Sequence, residues 1–371
     1  MNIFFDYKIF TLQVFGGISR YIIELSRSLN KKSVNNQILS PIYLNQLLHE
    51  KKNELNVKGI FLKKFPKYTN KIINFISQNY TNYYLSYFKS EIVHFTYFCD
   101  KFFLSIKNKK NHRTFLTVYD LIHEKFSQYY KSSFIIDKKS YLENVNHIIC
   151  ISQNTKKDLI NYYEIPEEKI SVVYLGVDHK IFNSNLENSM NFQNDNKPYI
   201  LYVGERKRYK NFERFIKAYS HSLKLNNNFD IICFGGENVS FSEKNLLINL
   251  KLSNKVKYMF GDDKLLLNLY KSARLYVCPS LYEGFGLTII EAMAANCPVA
   301  CSIGSSIDEV SKDNAVKFDP NSIDSIIFEI EKVIFDDSKL DFFRKKGNKN
   351  SKDFTWDKCA ENTLAVYNKF K

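Results

Sequence analysis

Two glutamates, Glu283 and Glu291, flank a glycine-containing turn in Pro279-Ser280-Leu281-Tyr282-Glu283-Gly284-Phe285-Gly286-Leu287-Thr288-Ile289-Ile290-Glu291-Ala292. A strand ending at Ser280, a turn and a helix beginning near Leu287 bring backbone N–H groups close to an anion. The helix N-terminus adds about half a positive charge there. Acids on either side of such a turn can bind two hydroxyl-bearing parts of one ligand. The competing reading is a plain strand–turn–helix with solvated acids. A second stretch, Gly204-Glu205-Arg206-Lys207-Arg208-Tyr209-Lys210-Asn211, gathers cations after a predicted strand. A third, Gly16-Gly17, follows the first predicted strand and lets backbone approach a ligand closely. No G-x-G-x-x-G or G-x-x-x-x-G-K string occurs, which argues against a dinucleotide fold and a P-loop.

The elements that would hold these residues alternate. Strand-like runs at 3–5, 92–95, 115–118, 147–151 and 170–174 are interleaved with helical patterns at 18–29 and 154–163. A polar stretch, Asn183 to Lys197, reads as a linker. The pattern then restarts. Strands are expected at 199–203, 230–234, 256–260, 275–278 and 298–301, with helices at 212–225, 263–273, 287–295, 322–334, 338–350 and 356–369. Such alternation predicts an α/β protein of two doubly wound parallel sheets, facing a central cleft between their strand ends. The expected domains are 1–185, 186–353 and a closing helix over 354–371.

Of the 371 residues, 44% are apolar, which argues against disorder. No run approaches the ~18 apolar residues of a membrane span, and the start reads as a strand, not a signal peptide. Seven cysteines (99, 150, 233, 278, 297, 301 and 359) form no C-x-x-C pair and read as small core residues in a reducing compartment. The net charge of +14 is uneven: residues 1–185 hold 26 Lys+Arg against 15 Asp+Glu. Residues 56–90 contain no acid, six lysines (58, 63, 64, 67, 71 and 89) and interleaved aromatics. A second basic run spans 101–113. A solvated basic face and an anionic membrane surface both fit. Nucleic acid fits poorly, for want of a recognition motif.

The string 279–292, continued by "SSIDEV" and "FDP", resembles the E-x7-E signature of the family 4 (group 1) retaining glycosyltransferases of GT-B fold. That resemblance implies two Rossmann-like domains, with the acceptor on the first and a nucleotide sugar on the second. It implies that Glu283 contacts the transferred sugar and Glu291 the ribose. Gly284, Phe285, Gly286, Leu287 and Thr288 would line the diphosphate and sugar, with Gly16 and Gly17 facing them. Residues 204–211 resemble the G-x-R-x-x-Y-K-N form of bacterial O-antigen and capsule transferases. Arg206 and Lys210 would then meet the charge on the departing diphosphate, with Lys207 and Arg208 as rivals. Where many members carry a His-Asp-Leu string, this chain has Tyr119-Asp120-Leu121. Tyr119 and Asp120 thus become catalytic candidates, and His94, His123 and Arg20 acceptor candidates.

The reaction implied is transfer of a hexose with retention of configuration, from a GDP-mannose-like donor or else a UDP-sugar. The acceptor would be a glycan, lipid-linked through polyprenyl pyrophosphate, in bacterial surface polysaccharide synthesis. No D-x-D string occurs, so neither a metal nor another cofactor is expected. The expected location is cytoplasmic, peripheral on the inner face of the plasma membrane through 56–90 and 101–113. A nucleotide-sugar epimerase of the same fold and a non-catalytic sugar-nucleotide-binding module are the alternatives.

Overall fold

The structure is a computed structural model that describes residues 1–87, 91–98, 112–130, 138–182 and 197–370. It divides into two compact units, Met1–Gly176 with Trp356–Lys371, and Val177–Thr355. The chain crosses between them at Gly176/Val177, not at the expected 185. That expected boundary, most of the linker, Lys89, Cys99 and most of the basic run 101–113 lie outside the described residues.

In the first unit, β1 (Asn2–Phe5), β2 (Asn35–Tyr43), β3 (Val57–Phe61), β4 (Ile92–Phe95), β5 (Arg113–Val118), β6 (His147–Cys150) and β7 (Ile170–Val172) form a parallel sheet in the order β3-β2-β1-β4-β5-β6-β7. Strands β4, β5 and β6 are buried almost throughout, as parallel strands covered on both faces are. In the second unit, β8 (Tyr199–Val203), β9 (Asp230–Phe234), β10 (Val256–Met259), β11 (Leu275–Cys278), β12 (Val299–Ser302) and β13 (Val316–Phe318) pair in the order β10-β9-β8-β11-β12-β13. Each sheet reverses its winding beside its first strand, at β1/β4 and at β8/β11. Open α/β sheets bind ligands at the carboxyl ends of the strands around such a reversal. The loops carrying Gly16-Gly17, Arg206–Lys210 and Glu283 follow β1, β8 and β11, three of those four strands.

The last helix, Trp356–Asn368, belongs to the first unit. There it packs on the helix Gly17–Lys31, with the Trp356 and Tyr21 rings 6.4 Å apart and Lys32 Nζ 2.6 Å from Glu361 Oε1. At the edge of the second unit, Val177 bridges Thr355, and its N–H donates to the Phe354 carbonyl at 3.2 Å. Those contacts put the two ends of that unit side by side.

The expected helix 212–225 is broken at Ser222, which instead caps a second short helix, Leu223–Asn228. Strands β2, β3 and β13 and the helix Asn70–Tyr87 come in addition. This last helix is unusual in what it buries. Ile73, Ser77, Thr81 and Leu85 face inward, two of them small polar residues. Ile72, Phe75, Ile76, Tyr80, Tyr83 and Tyr87 are exposed, at the spacing of one helix face. Lys63, Lys64, Lys67 and Lys71 stand exposed at its start. Among the described residues no helix is long and apolar enough to cross a membrane.

Candidate active site

After β11 the chain makes the turn 279–286 and enters the helix Leu287–Ala294. Gly286 caps that helix at φ +96°, a left-handed conformation that L side chains rarely adopt. The turn is anchored to the loop after β8: Leu281 N–H donates to the Tyr209 carbonyl at 2.7 Å. Buried Asn211 donates from Nδ2 to the carbonyls of Pro279 (3.0 Å) and Pro320 (2.8 Å). This lashing brings Lys210 to Glu283. Lys210 Nζ lies 2.8 Å from Oε1 and 3.0 Å from Oε2 of Glu283.

Glu283 is held at every polar group. Ser280 Oγ donates to its Oε1 at 2.7 Å, its N–H donates to Ser305 Oγ at 3.3 Å, and Ser306 Oγ donates to its carbonyl at 2.6 Å. Burial pulls the pKa of Lys210 down. The Glu283 carboxylate outweighs it and holds the ammonium well above the ordinary lysine range. The site thus presents a fixed carboxylate and a permanent cation, each about one-fifth exposed or less. The sequence marks Lys210 and Glu283 separately, not as a pair, and leaves their supports Asn211, Ser280, Ser305 and Ser306 unmarked. The signal available was polar side chains bracketing an acid.

Arg206 departs from expectation. Its side chain is buried, and its Nε donates to Glu243 Oε1 at 2.8 Å. Its remaining nitrogens donate to the carbonyls of Gly235 (2.7 Å) and Glu237, and the guanidinium stacks 4.9 Å from the Tyr258 ring. A guanidinium so committed ties the loop after β9 in place and is not displayed to a diphosphate. Its rivals Lys207 and Arg208 are exposed.

Among the other donor-side residues, Gly284, Phe285 and Gly286 are buried, and Leu287 and Thr288 half-buried. Thr288 Oγ1 accepts from Tyr276 Oη at 2.8 Å. Glu291 is buried in the helix Leu287–Ala294, not displayed to solvent. Among the described residues no three His, Cys, Asp or Glu side chains converge as a metal ion would need.

The first unit corrects three candidates. His94 is fully buried in β4, its Nδ1 2.5 Å from Tyr367 Oη and its Nε2 2.8 Å from Thr117 Oγ1. Burial pushes its pKa down to about 3. It pins the last helix to the sheet and does not meet an acceptor. Tyr119 is buried against Tyr21 and donates its hydroxyl to the Thr96 carbonyl at 3.0 Å. Burial, and then neighbouring tyrosines and Asp6, raise its pKa further, which disfavours a role as base, and its hydroxyl is committed to that carbonyl. Asp120 is half-buried; its Oδ1 accepts from Ile122 N–H at 3.1 Å and starts the helix Ile122–Lys125. Burial raises its pKa. That is a structural turn contact, and it takes up one carboxylate oxygen. His123, half-buried with its ring 4.3 Å from Tyr130, and half-buried Arg20 keep partial exposure. Gly17 is exposed at the start of the helix Gly17–Lys31, with half-buried Gly16 as its cap.

The six described cysteines are all buried thiols. Burial pushes several, such as Cys297, up to about 12.

Two family descriptions match nearly end to end: "Glycosyltransferase Family 4" over residues 15–181 and "Glycosyl transferases group 1" over 183–350. The "O-antigen chain mannosyltransferase B" of Escherichia coli is 28% identical over 61% of this chain and 61% of its own. The "O-antigen chain mannosyltransferase RfbU" of Salmonella typhimurium is 31% identical over 57% of this chain and 60% of its own. The matches therefore span about three-fifths of those relatives. A solved glycosyltransferase from Rickettsia africae superposes with a TM-score of 0.74 at 22% identity, covering 100% of this chain and 98% of that one.

Proposed function

Since the chain belongs to the family 4 glycosyltransferases of GT-B fold, we propose that it transfers a hexose from a nucleotide-diphosphate sugar to a glycan, with retention of configuration. The observation that carries this reading is the Lys210–Glu283 pair, fixed at the carboxyl ends of β8 and β11. The departing diphosphate gains negative charge, and a preorganised cation stabilises it without reorganisation. Lys210 fills that role. Glu283, paired with the lysine and bonded by Ser280, is a hydrogen-bond acceptor for sugar hydroxyls and not a nucleophile. The acceptor hydroxyl then attacks the face the diphosphate leaves, and the leaving phosphate takes its proton. The Lys210 charge does the work a metal ion would otherwise do.

GDP-mannose is the favoured donor. Two mannosyltransferase relatives and the G-x-R-x-x-Y-K-N form of residues 204–211 support it. The acceptor class is a lipid-linked glycan of a bacterial surface polysaccharide. The chain would reach it at the inner face of the plasma membrane through the outward apolar face of the helix Asn70–Tyr87 and the lysines before it. Apolar side chains and cations without acids suit an anionic headgroup layer.

The deciding experiment is a donor panel of GDP-mannose, UDP-glucose, UDP-galactose and a dTDP-hexose, with and without a glycan acceptor and EDTA. The expected result is acceptor-dependent release of one nucleoside diphosphate, unaffected by EDTA, with an α-linked product from an α-linked donor. Conversion of donor sugar without acceptor would make the chain an epimerase. Binding without turnover of any donor would make it a non-catalytic module.

A further inference from the structure

At the amino-terminal edge of the first sheet lies a cavity of about 330 Å3, lined by Asn2, Ile3, Phe4, Asn35, Gln37, Asn56 and Tyr84. Its origin is legible in the strand register. Asn2 pairs with Asn35 and Phe4 with Gln37, so their side chains emerge on one face in two adjacent rows. Asn56, just before β3, extends the Gln37 row: Gln37 Nε2 donates to Asn56 Oδ1 at 2.8 Å, and Asn35 Nδ2 to Asn2 Oδ1 at 2.8 Å. Farther along the same face stands Leu39, fully buried in the apolar core. Carboxamides therefore occupy the positions next to the apolar Phe4 and Leu39 on this face. Tyr84 of the helix Asn70–Tyr87 closes one side, its ring 5.8 Å from Phe4 and its hydroxyl bonded to Gln37.

We propose that this cavity binds a neutral sugar unit of a glycan, apart from the transfer site. None of its seven lining residues is charged, so it lacks what a phosphate or a nucleotide would need. Each carboxamide offers both donors and acceptors, which neither a hydrocarbon nor a singly charged lining does. Vicinal hydroxyls, which both give and accept, match such a lining. The half-buried Tyr84 ring adds a negative π-face against which the C–H groups of a sugar ring can rest. The volume falls at the lower end of small-ligand pockets, enough for a sugar ring. The cavity opens at the opposite end of β1 from Gly16-Gly17. A chain bound there would be retained between transfers. That glycan is the ligand class rests on the transferase reading; that the ligand is neutral and polyhydroxylated rests on the lining alone.

Ligand-observed NMR with mannotriose, maltotriose, galactotriose and glucose 6-phosphate tests it on the whole chain. Three variants are compared with wild type: Asn35→Ala/Asn56→Ala, which changes two exposed side chains; Tyr84→Phe, which removes only a hydroxyl; and Glu283→Ala. The expected result is binding of at least one trisaccharide, weakened at least ~5-fold by the first variant and measurably by the second. It is unchanged by the third, and glucose 6-phosphate does not bind. Absence of trisaccharide binding to wild type, equal binding by all four proteins, or loss only in Glu283→Ala overturns the proposal. Binding that depends on Asn35 and Asn56 in a protein inert towards every donor would leave the cavity standing and remove the transferase reading.

Discussion

Lys210 and Glu283, 73 residues apart, meet through two hydrogen bonds of 2.8 and 3.0 Å. Neither side chain is more than about one-fifth exposed, and serines and a buried asparagine hold the backbone on both sides. Lys210→Ala and Glu283→Ala are each expected to lower kcat/KM at least ~100-fold, the scale of losing one preorganised transition-state contact. The double variant should fall little further, because the two act as a unit. Steady-state kinetics with the preferred donor, beside a thermal scan to confirm folding, provide the check. Turnover near wild type in both single variants would sink the site.

Arg206 gives a different expectation. Its buried pair with Glu243 satisfies two charges that would each be costly alone. Arg206→Ala should destabilise the fold by roughly 3–5 kcal/mol, the cost of leaving one buried partner uncompensated. Lys207→Ala breaks an exposed pair with Glu237 and should leave stability nearly unchanged, because solvent screens such a pair. Chemical denaturation separates the two. If Arg206→Ala unfolds like wild type but loses donor affinity, the arginine binds the diphosphate after all.

The contrast between these residues explains what was legible in sequence. Parallel strands such as His147-Ile148-Ile149-Cys150 read as apolar runs because both faces are covered. Glu283 was legible because its turn, glycine and helix start are contiguous. The burial of Arg206 was not: its partner Glu243 lies on the helix Phe241–Asn249, which no clear periodicity marks. His94 looked like a ligand because a strand buried on both faces shows no alternation to tell inside from outside. Its partner Tyr367 is 273 residues away. Strand β2 was hidden by the turn-forming residues Asn35, Asn36 and Pro41; the asparagines pair in regular register with Asn2 and Ile3, and a register shift between Leu39 and Ile42 accommodates the proline.

The burial of His94 has a pH consequence. Its pKa falls from 6.5 to about 3 on folding, because desolvation penalises the imidazolium. Between those values the unfolded chain binds a proton that the folded chain refuses. The contribution is therefore complete above pH 6.5 and is lost as pH falls towards 3. Asp6, raised to about 6 by burial, works in the opposite sense over 3.8 to 6. Comparing wild type with His94→Asn at each pH cancels Asp6. The stability advantage of wild type should shrink by up to about 3 kcal/mol between pH 7 and pH 4. Acceptor KM should not change. A pH-independent difference together with a raised acceptor KM would return His94 to the acceptor site.

The helix Asn70–Tyr87 carries the last expectation. It turns Phe75, Tyr83 and Tyr87 outward, each more than 60% exposed, while Ser77 and Thr81 take inward positions. An apolar face of this kind on a soluble surface marks a partner. Exposed Lys63, Lys64, Lys67 and Lys71 at its start, with no acid over 56–90, suit the anionic membrane surface proposed above. Two sets of substitutions separate the contributions. Replacing the four lysines with Glu should abolish binding to vesicles of phosphatidylglycerol and phosphatidylethanolamine, at roughly 1 kcal/mol per cation near the surface. Phe75→Ser/Tyr83→Ser should weaken binding at high salt, where the apolar term remains and the electrostatic one is screened. Donor affinity should be unchanged in both, since Lys210 and Glu283, the pair proposed to meet the donor, lie on the other unit. Sedimentation with vesicles at low and high salt reads both effects. Equal sedimentation of wild type and both variants would reduce this face to a solvated surface.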